Sequence, residues 1–169
     1  MDKNVSSLLN QQINKEFYSA YLYLDMANYY SDEGLDGFAN YFEVQAKEEM
    51  DHGMLMYQYM HNNNEKATLD AVAKPDKKYA DKMAPLAAAL AHEEYVTASI
   101  NNIYAEAQKV NDYRTLQFLD WFVKEQGEEE KNSNDLIKKM ELYGDDSRSL
   151  YMLNSELKAR AYAAPSLTL

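Results

Sequence analysis

Glu49-Met50-Asp51-His52 sets a carboxylate and an imidazole three residues apart, so on a helix both leave one face a turn apart. Such a pair can bind one metal through His52 and share Glu49 between two. By itself the spacing is common. It gains meaning from the apolar rows of the rest of the chain, where steps of three and four trace the stripe that a helix turns towards a core. Glu16 interrupts the row Leu9, Ile13, Ala20, Tyr23, Ala27, and Gln45, Glu49 and His52 interrupt Phe38, Phe42, Met56, Tyr59. Glu93 interrupts Leu86, Leu90, Thr97, Ile100, Tyr104. Gln126 and Glu129 interrupt Leu119, Phe122, Ser133, Leu136, Met140.

Four carboxylates turned towards a core cannot all stay charged without compensation, because even one isolated buried ion costs several kcal/mol. A multivalent cation is the simplest compensation. The chain has no cysteine, which excludes thiolate metal sites, iron–sulfur clusters and disulfides. An oxygen-rich set with one or two imidazoles suits iron or manganese better than structural zinc, and iron is the first expectation.

The elements that must position these groups are helices. Helical periodicity runs from Val5 to Ser31, stops at Asp32-Glu33-Gly34, resumes at Asp36 and continues to His61, where Asn62-Asn63-Asn64 ends it. So short a connection implies an antiparallel hairpin. The stretch to Ala80 carries Pro75, several lysines and no sustained period, and reads as a long surface crossover. A third helix is expected to have Asp81 as its N-cap, Pro85 in its first turn and its end near Val110. Asn111-Asp112 then offers a stop and a new N-cap for a fourth, from Tyr113 to Leu142. Gly144 reads as its C-terminal cap, with Asp145-Asp146-Ser147 starting a short fifth helix through Ala161.

Depth supplies an independent check. Glu16 and His52 each lie about 18 residues from the turn near Gly34, roughly 27 Å at helical rise, and Glu93 and Glu129 lie about 18 residues from the turn near Asn111. Each hairpin therefore carries its polar interruptions at one common level.

Composition agrees with this architecture. A chain of 169 residues with 46% apolar residues fits one domain, and with five glycines and three prolines its preference is all-α. The net charge of -11 favours small cations as partners over nucleic acid or an anionic membrane. No apolar run reaches membrane-spanning length and Met1 to Asn10 has no signal-peptide core, so a cytoplasmic location is the expectation.

Over nearly its full length the chain resembles the non-haem ferritins of prokaryotes. The landmarks are Asn14-Lys15-Glu16, Tyr21-Leu22-Tyr23-Leu24, Glu48-Glu49-Met50-Asp51-His52, His92-Glu93, and Trp121 followed by Glu125-Gln126-Gly127-Glu128-Glu129-Glu130. The resemblance implies a ferritin-like four-helix bundle with a short C-terminal fifth helix. It also implies a ferroxidase that oxidises Fe(II) with dioxygen and deposits ferric oxide inside a shell of twenty-four identical subunits. One iron would be held by Glu16, Glu49 and His52, the other by Glu49, Glu93 and Glu129 with Gln126 nearby, and Tyr23 would hydrogen-bond the site from behind the ligands. A third iron site maps onto Glu48, Glu125 and Glu128 with help from Glu129. Gly127 departs from the larger residue usual in that family.

Plainer readings apply to several residues. Glu48, Glu125, Glu128 and Glu130 also fit a solvated helix face, and His61 and His92 read as surface residues. Trp121 and the tyrosines read as core and interface side chains. Met50 occupies the position of the haem-ligating methionine of bacterioferritins, but Gln126-Gly127-Glu128-Glu129 lacks the second Glu-x-x-His of those proteins, and no haem is expected. A different di-metal oxidoreductase and a non-catalytic shell component are competing functions for the same bundle.

Overall fold

A computed structural model describes residues 1–169 and contains five α-helices. They are α1 (Lys3–Asp32), α2 (Asp36–Asn62), α3 (Ala84–Lys109), α4 (Tyr113–Tyr143) and α5 (Ser147–Lys158). The architecture is the expected four-helix bundle of two hairpins, α1/α2 and α3/α4, with α5 laid against the start of α2. Helix α1 begins two residues earlier than periodicity suggests, because the Asp2 carboxylate accepts from the amides of Asn4 and Val5 at 2.8 and 3.4 Å. Helix α3 starts at Ala84 rather than directly after Asp81. Asp81 still caps it in effect, accepting from the amides of Met83 and Ala84 at 3.0 and 2.9 Å.

The crossover runs alongside α1. Thr68 N donates to Asn10, Asn14 donates to the carbonyls of Asp70 and Ala71, the Tyr79 hydroxyl donates to Asp25, and the Tyr30 hydroxyl donates to the carbonyl of Lys82. Successive contacts from Asn10 to Tyr30 carry the chain about 30 Å along the bundle, which is what joining two antiparallel hairpins end to end demands. The turn between α3 and α4 places Asn111 at φ 56°, and Asp112 caps α4 through the Thr115 amide at 3.1 Å.

The core has two apolar halves. One half joins Leu22, Met26, Tyr30, Phe38, Phe42 and Leu136 to the three leucines of α5. The other joins Val5, Leu9, Ile13, Met56, Ile100 and Phe122. Between them lies a layer of buried polar side chains drawn from all four long helices: Gln12, Glu16, Gln45, Glu49, His52, Glu93, Gln126 and Glu129. Equal depth in the two hairpins thus becomes one polar floor across the bundle.

Three expectations need correction. His92 is buried, not on the surface. The buried face of α3 follows Ala89, His92, Glu93, Val96, Ile100, Ile103 and Ala107, while Leu90, Thr97 and Tyr104 are only half-buried. The fifth helix ends at Lys158 instead of Ala161, because Arg160 leaves the helical path to hydrogen-bond with α2.

Candidate metal centre

Helix α2 projects Glu49 and His52 into the polar layer one turn apart, and α1 brings Glu16 against them. These three residues offer ligand atoms that all lie within 4.8 Å of one another. His52 Nδ1 is 3.6 Å from Glu49 Oε2. The most telling feature is a deficit: Glu16 Oε2 and Glu49 Oε1 are buried side-chain atoms without any hydrogen-bond partner. Buried polar atoms are almost always paired, and a charged one left alone is costly. Two orphaned carboxylate oxygens beside an imidazole fit a cation with oxygen and nitrogen preference, such as iron or manganese.

Helices α3 and α4 supply the opposite side. Glu93 accepts from the Tyr23 hydroxyl and, at 3.0 Å, from Gln126 Nε2. Glu129 accepts from Gln45 Nε2 at 2.8 Å. These carboxylates lie outside the tight three-residue group, yet they face the same layer and feel its charge. Glu129 is pushed up to about 8 by burial and then by Glu93 and Glu49. Glu93 is pushed up to about 7, mainly by burial. Glu16 is raised well above the usual carboxyl range by burial and by Glu49. Burial pushes Glu49 the same way, but its contact with His52 prevails and holds it low. His52 rises to about 10 because Glu49, followed by Glu16 and Glu129, outweighs burial. Without a cation the layer therefore keeps charge mainly as the Glu49–His52 pair and holds protons on the other acids.

Amides and hydroxyls behind the acids fix their directions. Ser99 donates to Gln12 Oε1 at 2.5 Å, which leaves the Gln12 amide nitrogen to donate to Glu16 Oε1 at 2.9 Å. His92, absent from the sequence-derived site, pairs through Nε2 with Ser19 Oγ at 2.7 Å and lies edge-on to Tyr23 at 6.1 Å between centroids. Since Ser19 donates its one proton to the carbonyl of Lys15, Nε2 of His92 is the donor in that pair. Burial lowers the pKa of His92 and keeps the ring neutral. A signal for it existed: His92 is three residues after Ala89 and four before Val96, on a second apolar row beside the Glu93 row.

The structure does not gather the third candidate group as closely. Glu48 is half-buried and paired with Arg160 at 2.7 Å, Glu125 is half-buried, and Glu128 is exposed with Lys124 3.5 Å away. Thr97 donates to Glu130 at 2.5 Å. A Cβ on Gly127 would meet nothing within 4 Å, so no close packing requires glycine there. His61 is exposed against the Tyr57 ring, and Trp121 is half-buried with its ring 5.5 Å from that of His52. Met50 is exposed in a groove with Tyr21 and Leu24.

Four long helices enclosing a buried carboxylate–imidazole layer define the class of helical-bundle metal proteins. Residues 6–143 match the family model described as a ferritin-like domain. The chain is 37% identical over 162 residues to a protein named bacterial non-heme ferritin from Staphylococcus epidermidis, covering 96% of this chain and 98% of that one. It is 38% identical over 162 residues to the protein of the same name from Staphylococcus saprophyticus, covering 96% and 97%. Among solved structures it superposes on the open pore ferritin of Archaeoglobus fulgidus with a TM-score of 0.93 at 38% identity, covering 95% of this chain and 99% of that one. The chain belongs to the ferritin family.

Proposed function

We propose that this protein stores iron and is a ferroxidase, oxidising Fe(II) with dioxygen at a di-iron centre and depositing the ferric product inside a hollow shell of its own copies. The observation that carries this reading is the pair of buried, unpartnered oxygens of Glu16 and Glu49 beside His52. Iron is the substrate. Glu16, Glu49 and His52 hold one ion, while Glu49, Glu93 and Glu129 hold the second, with Gln126 beside it. Binding replaces the protons held on Glu16, Glu93 and Glu129, so each Fe(II) enters against proton release. Two Fe(II) ions each lose one electron, and one dioxygen takes the pair and two protons to the level of hydrogen peroxide.

In this reading the shell holds twenty-four copies of the 19.5 kDa chain, as the resemblance to the ferritins implies. Exposed Tyr21, Leu24, Met50, Met54, Tyr151 and Met152 are the apolar surface that subunit contacts would cover. That no helix is long and apolar enough to cross a membrane accords with such a particle. The test is stepwise addition of Fe(II) to the metal-free protein under air, with sedimentation alongside. A particle near half a megadalton should take up many irons per subunit without precipitate. Uptake that stops after two or three irons per subunit, or a stable monomer or dimer, would remove storage and leave a di-metal oxidoreductase.

A further inference from the structure

The segment after α5 returns along the bundle as a strap. Asn40 donates to the carbonyl of Arg160 at 3.0 Å, Tyr162 donates to Asp51 at 2.6 Å, the Trp121 indole donates to Ser166 Oγ at 3.1 Å, and Leu167 packs on the apolar half that contains Phe122. At the head of this strap the Arg160 guanidinium lies over the Tyr41 ring, 4.3 Å from its centroid, and donates to the carbonyl of Tyr41 at 3.2 Å. Its other nitrogen donates both to Glu48 Oε2 at 2.7 Å and to Gln45 Oε1. Gln45 in turn donates through Nε2 to Glu129 at 2.8 Å.

The geometry points to Arg160 as an internal counter-ion that a cation at Glu48 must displace, and as a positioning residue for Glu129 through Gln45. This rests on the di-iron reading and on Glu48, Glu125 and Glu128 as a third cation position. An arginine is charged at every working pH and its fork is rigid, so one guanidinium neutralises Glu48 and fixes which end of the Gln45 amide faces inward. With the amide oxygen held by Arg160, the amide nitrogen must face Glu129. Removing the guanidinium removes that constraint, and Glu129 loses a locked donor and becomes free to turn towards the third position. Filling the third position is thereby coupled to the di-iron site and to release of the strap.

Trp121 is the only tryptophan and is tied to the same strap. Because its ring is also 5.5 Å from that of His52, the emission change beyond the one the first two equivalents cause is what reports strap release. Zn(II) is the probe because it undergoes no redox change. Metal-free protein is titrated with Zn(II), following heat and Trp121 emission together. In the unaltered protein the first two equivalents fill the di-metal site, and a third, weaker step shifts the emission. Arg160→Gln should tighten that third step by about tenfold or more, the scale of losing a charged hydrogen-bonding competitor. It should also show the shifted emission before any third ion binds. Arg160→Lys, which keeps charge but not the fork, should fall between the two. Equal or weaker third-step affinity in Arg160→Gln overturns the proposal, as does a third step in the unaltered protein that leaves Trp121 emission unmoved; the latter test holds even where the variant does not fold. Failure of the first two equivalents to bind would instead overturn the di-iron reading.

Discussion

Asn154 of α5 caps α2 across 117 residues of sequence, accepting from the amide of Gly37 at 2.8 Å through its side-chain oxygen. The same oxygen lies 3.3 Å from the amide of Phe38. Helix α2 has Leu35 at its N-cap position, which offers no side-chain acceptor, so its exposed amides are satisfied from another helix. The approach is close: a Cβ on Gly37 would fall 1.7 Å from the carbonyl oxygen of Asn154. Gly37→Ala is therefore expected to push α5 off the bundle. Hydrogen exchange should show loss of protection at Leu150, Leu153 and Leu157 with the four long helices still protected. Asn154→Ala should cost about 1 kcal/mol, the usual scale of a lost cap, seen as a lower denaturation midpoint. Unchanged exchange in Gly37→Ala would show that α5 does not depend on this contact.

That relationship marks where reading the sequence ends. The four rows carrying Glu16, Glu49, His52, Glu93, Gln126 and Glu129 were visible because helix period and depth from a turn are local quantities, and all six side chains are buried in one layer. Single rows also hid something. Following one row per helix passed over His92, since the buried face of α3 is wide enough to hold two adjacent rows. Contacts of α5 and of the strap depend on no local pattern: Arg160 reads as one more surface cation until the fold sets it beside Glu48.

Gly127 offers a separate test of what the local sequence costs. It is exposed within a continuous α4, and a Cβ there meets nothing. Gly127→Ala should therefore stabilise the protein by up to about 1 kcal/mol through helix propensity alone. The denaturation midpoint measures this. A loss of stability would mean that the glycine answers a contact made only between subunits.

The metal-free protein should lose stability as pH rises. Glu93 and Glu129, raised to about 7 and about 8, hold protons in the folded state that an unfolded carboxyl releases near pH ~4.3. Across that window the folded state binds more protons than the unfolded chain, so unfolding free energy falls with pH. His52 acts in the same direction: its contribution is complete below about pH 6.5 and lost as pH climbs towards about 10. Glu49, held low, opposes the trend only in acid. Denaturation midpoints from about pH 5 to about pH 8 should fall steadily, and Glu129→Gln should flatten the slope. A midpoint that rises over this range in the metal-free protein would contradict the protonation pattern of the layer.

Glu49→Ala should remove rapid Fe(II) oxidation, whereas Glu128→Ala should leave the fast phase and alter how many irons are oxidised per dioxygen. The two residues differ in place. Glu49 is buried, is 3.6 Å from His52 through one oxygen, and leaves the other without a partner; its charge also helps keep the proton on Glu129. Its charge acts on Glu16 and on Glu129, so in the proposed assignment its loss would take negative charge from both cation positions and remove the ligand they share. Dioxygen then no longer meets two reductants held at a fixed separation, a loss expected to slow the reaction on the order of a hundredfold or more. Glu128 is exposed and its neighbour is Lys124, outside the layer. Stopped-flow absorbance of the ferric product, read beside an oxygen electrode with two Fe(II) per subunit, places both effects on one time base. Should Glu49→Ala keep the fast phase at full amplitude, the buried acids would need a structural explanation in which Glu16 and Glu49 share a proton and bind no iron.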